Sequence, residues 1–202
     1  SKSDLIFHFA AANRPKKKIK FLKDNVQLTE KICNYLEKQN QVKKIIFTSS
    51  IKISEKSNYG KSKKLCEKIL SRFAKETESS VYILRLPNIF GKWSKPNYNN
   101  VVSTFCYNIS RNRKIKISDP KNKVKLLYID DLIDIFKKII NNKMKNNKSI
   151  HNIPATKIIT LKKLSENIFD FELKRKKLLI SNFSSKFEKN LYSTYISFLP
   201  KK

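Results

Sequence analysis

The stretch Phe47-Thr48-Ser49-Ser50-Ile51-Lys52-Ile53-Ser54-Glu55-Lys56-Ser57-Asn58-Tyr59-Gly60-Lys61-Ser62-Lys63 decides the reading of this chain. It closes an apolar run (Ile45, Ile46, Phe47), passes through two serines, and re-enters regular structure as a helix carrying Tyr59 and Lys63. Four residues apart, the phenol and the ammonium share one helix face. A nearby ammonium favours the ionised phenol, so Lys63 is expected to lower the Tyr59 pKa from its ordinary value of about 10 and fit it for proton transfer near neutral pH. Ser50, at the carboxyl end of the strand, can hydrogen-bond the same substrate oxygen. On a helix this rich in lysine the spacing also fits a merely solvated pair.

Working outward, Leu5 to Ala12 is an apolar run without a turn residue, suited to a buried parallel strand, and Asn13-Arg14-Pro15 follows as a loop. Residues 17–39 read as an amphipathic helix striped by Phe21, Leu22, Val26, Leu28, Ile32, Tyr35 and Leu36. Lys43 to Ser49 is the strand that ends at the serines, and Asn58 to Lys75 is the helix of the pair, with Ser57 or Asn58 as its cap. Val81 to Leu86 is a third buried strand, and Ser94 to Asn99 a polar loop placed to cover a ligand. Val101 to Asn112 returns to helix. Lys114 to Ile117 and Lys123 to Ile129 read as short strands, and Asp130 as the cap of a helix reaching Asn142. A strand near Ile150 to Ile153, a helix from Thr160 to about Leu173 and an irregular aromatic-containing tail complete the chain.

With 202 residues, 40% hydrophobic and 11% aromatic, the composition is that of a folded globular chain. No apolar run approaches the roughly 18–20 residues of a membrane span and no signal peptide opens the chain, so the expected location is cytoplasmic. Cys33, Cys66 and Cys106 have no metal-site or disulfide spacing and read as buried thiols, with no metal expected. The net charge of +29 suggests a polyanion partner, but 39 of the 45 basic residues are lysine, spread along the whole length amid abundant Asn and Ile. That is the mark of an A+T-rich coding sequence rather than of a clustered, arginine-containing phosphate track, and it argues against nucleic acid as the partner.

Strand, Ser-Ser, then Tyr-x-x-x-Lys opening a helix resembles the active site of the short-chain dehydrogenase/reductase superfamily, in its extended epimerase, dehydratase and reductase branch. His8-Phe9-Ala10-Ala11 is similar to that branch's H-x-A-A signature, which implies cofactor contacts at Ala10 and Ala11 and a structural His8. Asn25 stands where the branch keeps an Asn bracing the active-site strand, although one more Asn in an Asn-rich chain is the plainer account. Arg85-Leu86-Pro87-Asn88-Ile89-Phe90-Gly91 matches the Arg-x-x-Asn-x-(Phe/Tyr)-Gly segment, and Tyr128-Ile129-Asp130-Asp131 the Tyr-Val-Asp-Asp element. Residues 7–15, 87–99 and 191–200 are closer still to the capsular-polysaccharide and O-antigen reductases of UDP-activated 4-keto-6-deoxy-N-acetylhexosamines, on the route to UDP-N-acetyl-L-fucosamine.

The resemblance implies NAD(P)H-dependent reduction of such a sugar, with NADPH favoured over NADH. Ser50, Tyr59 and Lys63 would be catalytic; Ala10, Ala11, Tyr59, Lys63 and Pro87 would hold the cofactor. Arg85, Asn88, Lys92 and Asn97 would hold the sugar nucleotide, with Arg85 equally able to close an internal ion pair. The usual diphosphate Arg before Tyr128 is missing, with Lys123 and Lys125 in its place.

The implied fold is α/β, a partial Rossmann-like doubly wound parallel sheet from about the fourth strand onward, with a small C-terminal substrate-binding α/β part. Residues 1–92 would be the half of the dinucleotide domain carrying Tyr59 and Lys63, 93–190 the substrate-binding part, and 191–202 a stub toward a cupin domain. A dinucleotide fold needs a glycine-rich turn after its first strand, and the only glycines are Gly60 and Gly91. The chain is therefore expected to be a fragment with an incomplete cofactor site, completed by an upstream polypeptide, and with an aggregation-prone sheet edge if left uncompleted. Related enzymes pair, which implies a homo-oligomer through the helices at 17–39 and 58–75. An epimerase or dehydratase of the same fold and a non-catalytic remnant or subunit of a split enzyme are the other readings.

Overall fold

The computed structural model describes residues 3–12, 21–40, 42–144 and 150–200. The Asn13-Arg14-Pro15 loop and the start of the helix expected from residue 17 lie outside them. The chain divides into two compact units, residues 1–86 with 141–153, and residues 87–140 with 154–202.

The first unit is built on four parallel strands, β1 (Leu5–His8), β2 (Lys44–Ser50), β3 (Ser80–Leu86) and β6 (Ile150–Asn152), in the order β1-β2-β3-β6. Helix α1 (Leu28–Lys38) joins β1 to β2, and α2 (Asn58–Glu76) joins β2 to β3. Ile45, Phe47, Val81 and Ile83 share one sheet face and pack with Cys33, Leu36, Cys66, Leu70, Phe73 and Ala74 from the two helices. The alternate residues Ile46, Tyr82 and Leu84 are buried as well. Burial on both faces explains why β2 and β3 are unbroken apolar runs instead of alternating ones.

Two expectations are corrected here. The first strand is four residues long, not eight, because Phe9 to Ala12 leave the sheet, and its Phe7, on the face opposite to Ile6 and the helices, is exposed. The helix before β2 is not one regular α-helix, since Leu22–Gln27 forms a π-helical turn that leads into α1. That wider turn carries Asn25, which is buried. Inserted turns of this kind recur at functional sites.

The second unit holds the sheet β4 (Asn88–Phe90), β5 (Lys123–Tyr128) and β7 (Lys157–Thr160), with β4 parallel and β7 antiparallel to β5. With it go α3 (Val101–Ile109), α4 (Ile129–Ile140), α5 (Leu161–Lys176) and α6 (Lys186–Ile196). Lys114 to Ile117 is not a strand. Its alternation mimics one, but the segment is irregular, and Ile115 and Ile117 pack against this unit's core. Asp130 lies within the first turn of α4 and does not cap it. The tail expected to be irregular contains α6, whose Phe187, Leu191 and Tyr195 are buried in that core, so residue 191 falls inside a helix. Among the described residues no helix is long and apolar enough to cross a membrane.

Candidate active site

The first unit gathers Ser50, Tyr59 and Lys63 at the carboxyl end of β2. Ser50 is the last residue of that strand, and its hydroxyl accepts the Lys52 N–H at 3.2 Å, opening a 3-10 turn over Ile51–Ser54. Helix α2 then starts with Ser57 as its cap, one of the two caps the sequence offers, the hydroxyl accepting the Gly60 N–H at 3.1 Å. The residue after Tyr59 has to be glycine. A Cβ at Gly60 would sit 2.3 Å from the Lys52 carbonyl oxygen and 2.9 Å from that of Glu55. This close approach of turn and helix brings Tyr59 back to Ser50.

The electrostatics differ from the expectation. Burial pushes the Tyr59 phenol above its usual value, a hydrogen bond with Ser50 opposes that rise, and Cys66 adds to it; Lys63 does not lower it. Lys63 is itself buried, and burial brings its pKa down to about 8 against the upward pull of Cys66 and Glu67. Its ammonium donates to the Thr48 carbonyl oxygen at 2.8 Å and lies 4.5 Å from the centre of the Phe47 ring and 6.0 Å from that of Tyr59. Desolvation is the largest influence on both groups, so each leans toward its neutral form.

Around this cluster runs a buried polar network. Asn25 accepts the Ala12 N–H at 2.6 Å and donates to the Ala12 carbonyl at 3.3 Å and the Ser62 hydroxyl at 3.0 Å, so it ties the segment after β1 to α2. Thr29 donates to the Asn25 carbonyl at 2.8 Å, which makes His8 Nε2, 2.9 Å from the Thr29 hydroxyl, the donor of that pair. Burial, with Lys63 adding to it, holds the His8 pKa down at about 4, so a neutral imidazole fills this position. Ala10 is exposed and Ala11 half-buried on the segment leaving β1.

Arg85 is engaged inside the fold. Its Nε and Nη2 donate to the two carboxylate oxygens of Glu67 at 3.0 and 2.7 Å, and the Ser49 hydroxyl donates to the same carboxylate at 2.5 Å. Sequence reasoning foresaw an ion pair for Arg85 but not its partner. Glu67 lies four residues beyond Lys63, on the buried stripe of α2, and that spacing is the signal that could have found it.

Pro87, Asn88, Lys92 and Asn97 belong to the second unit. Pro87 is buried, and Asn88 is exposed with its amide on the Lys125 carbonyl at 3.2 Å. Lys92 is exposed beside Trp93. Asn97, at φ 53°, exchanges side-chain hydrogen bonds with Asn108 at 3.0 and 3.4 Å.

A parallel sheet with a serine, a tyrosine and a lysine at the carboxyl end of one strand defines a class, the α/β enzymes that work on a ligand laid across that end of the sheet. Residues 1–153 match the NAD dependent epimerase/dehydratase family, and the chain belongs to it. It is 39% identical over 197 residues to the UDP-2-acetamido-2,6-beta-L-arabino-hexul-4-ose reductase of Pseudomonas aeruginosa, a match covering 98% of this chain and 53% of that protein. The crystal structure of the capsular polysaccharide assembling protein CapF from Staphylococcus aureus superposes with a TM-score of 0.84 at 35% identity, over 98% of this chain and 53% of that one. The Bordetella bronchiseptica enzyme WbmF, solved in complex with NAD+, gives 0.79 over 96% of this chain and 71% of that one; at 16% identity it speaks to the fold alone. The chain spans about half the length of the first two relatives.

Proposed function

We propose that this chain carries the proton-transfer half of a nicotinamide-dependent reductase acting on a UDP-activated 4-keto-6-deoxy-N-acetylhexosamine, in the cytoplasm, for capsule or O-antigen precursor synthesis. The observation that carries this reading is the Ser50, Tyr59 and Lys63 cluster in a chain 39% identical to a UDP-sugar 4-keto reductase. NADPH is the cofactor we favour, by resemblance to the same reductases.

Bound cofactor supplies the hydride that arrives on the carbonyl carbon. The protein's part is the proton. With its pKa raised by burial, Tyr59 keeps its proton at neutral pH and can give it to the carbonyl oxygen as negative charge grows there. Ser50, which opposes the rise of that phenol's pKa, would orient the carbonyl. Lys63, in its charged form below about pH 8, would stabilise the phenolate left behind until water returns the proton, and would be the residue to hold the nicotinamide ribose. The small side chains of Ala10 and Ala11 leave room for a flat ring beside the end of β1. These residues fit the nicotinamide end of a dinucleotide. None fits its pyrophosphate, since the glycine-rich turn is not in this sequence; we assign that turn to an upstream polypeptide. Asn88, Lys92 and Asn97 are assigned to the sugar nucleotide and Pro87 to the cofactor. Arg85 could reach the ligand only with the donors its ion pair leaves over. Pairing of two copies through α1 and α2 completes the reading.

The test is consumption of NADPH with a UDP-4-keto-6-deoxy-N-acetylhexosamine, by the chain alone and with a co-expressed upstream segment. Tyr59→Phe should reduce turnover by about 10²- to 10⁴-fold. Turnover unchanged by that substitution would falsify the assignment of Tyr59. Substrate-dependent turnover with no net loss of NADPH would favour an epimerase instead.

A further inference from the structure

Among the described residues Glu67 is the one buried carboxylate that touches the end of the active-site strand, and the mechanism above makes no use of it. Its side chain is 4% exposed. Ser49 and Arg85 face each other in register on β2 and β3, so their side chains leave the same face of the sheet, the face covered by α1 and α2. Glu67 binds both, one oxygen taking the Ser49 hydroxyl and Arg85 Nε and the other taking Arg85 Nη2. Ser49 is covalently next to Ser50, and Glu67 is one helical turn beyond Lys63.

We propose that Glu67 is a positioning residue of the proton-transfer site, its carboxylate fastening the ends of β2 and β3 to helix α2 and thereby holding Ser50 in register with Tyr59 and Lys63. A carboxylate removed from water is strongly disfavoured unless it is paired and fully hydrogen-bonded. Three charge-assisted bonds to two strands meet that demand only in one geometry, which makes the clamp a device for setting distance. The clamp also places a negative charge next to Lys63 along the helix, and Glu67 is among the groups holding the Lys63 pKa up against burial. The other charged or titratable groups acting on Lys63 and Tyr59 are His8 from β1 and Cys66 from α2, and Arg85 from β3 neutralises much of the carboxylate's field.

This inference deepens the proposed function and rests on it for its catalytic meaning, but its test needs no turnover. In the full 202-residue chain labelled with ¹⁵N-lysine, the Lys63 Nζ signal is assigned by its loss in Lys63→Arg and titrated by NMR. Glu67→Gln should lower the Lys63 midpoint by about one pH unit, and Glu67→Asp should restore it in part. A folded Glu67→Gln chain with an unmoved midpoint overturns the proposal. Should Glu67→Gln not fold, Ser49→Ala leaves the Glu67–Arg85 pair intact and removes only the link to β2. Hydrogen exchange then reads the Lys52 amide, which donates to Ser50 Oγ. About tenfold faster exchange at Lys52, with the Gly60 amide unchanged, is expected for a lost positioning bond; unchanged exchange at Lys52 overturns the proposal. If either expected result appears in a chain that reduces no 4-keto sugar, the clamp stands and the enzymatic reading fails.

Discussion

Lys63 donates its ammonium to the carbonyl oxygen of Thr48, 2.8 Å away, and so binds the main chain of β2 instead of the Tyr59 phenol. With its pKa brought down to about 8 by burial, half of its charge is gone at that pH. Turnover that relies on the ammonium should therefore fall as pH rises through about 8. A pH–rate profile flat to pH 9.5 would contradict this. The same group affects stability in the opposite direction. Its folded pKa lies below its unfolded value, so the unfolded chain holds the extra proton between about 8 and 10.5, and the Lys63 contribution to stability rises with pH across that window.

His8 gives an acid-side counterpart. Held at about 4 in the fold and near 6.5 when unfolded, it takes up a proton on unfolding throughout that interval. Stability from this group is complete above pH 6.5 and declines toward pH 4, by about 3 kcal/mol in all. Urea unfolding at pH 7 and pH 4.5 should show the decline, and His8→Gln should reduce it. An equal pH dependence in both proteins would remove His8 as its source.

Gly60→Ala tests the close contact that brings Tyr59 to Ser50. The added methyl meets two backbone carbonyl oxygens that cannot swing aside as a side chain end can. A destabilisation of about 1–3 kcal/mol is expected from overpacking. Because the turn must move away from the helix, activity should fall further than stability explains at temperatures where the variant is folded.

Leu191→Ala tests the C-terminal helix. Leu191 is fully buried, so its truncation should cost about 2–5 kcal/mol in chemical denaturation. A cost near zero would restore the irregular tail that the sequence suggested.

The parts legible in the sequence were those whose signal is local. Unbroken apolar runs announced β2 and β3, Ser57 announced the start of α2, and the spacing of Tyr59 and Lys63 placed both on one face of it. The family motifs added the functional class. What could not be read was whatever depends on burial. The phenol and the ammonium suggested mutual stabilisation, and desolvation reversed the outcome for both. Lys-Ile-Lys-Ile at 114–117 has the period of a strand but no ladder to join. Helix α6 was missed although its signal was present. Ser185 caps the helix by accepting the Glu188 N–H, the Glu188 carboxylate accepts the Ser184 N–H, and Phe187, Leu191 and Tyr195 recur every four residues along one face. Its polar composition hid that stripe.

Strand β6 reaches the first sheet only after the chain has left it at Leu86 and built β4, α3, β5 and α4 elsewhere. During synthesis the outer edge of β3 therefore emerges from the ribosome well before Ile150, Its partner arriving roughly 3–13 s later at ordinary elongation rates. Through that interval β3 is an open template for any extended segment nearby. Slowing translation between Leu86 and Ile150 should lower the soluble yield of this protein more than slowing it after Ile153.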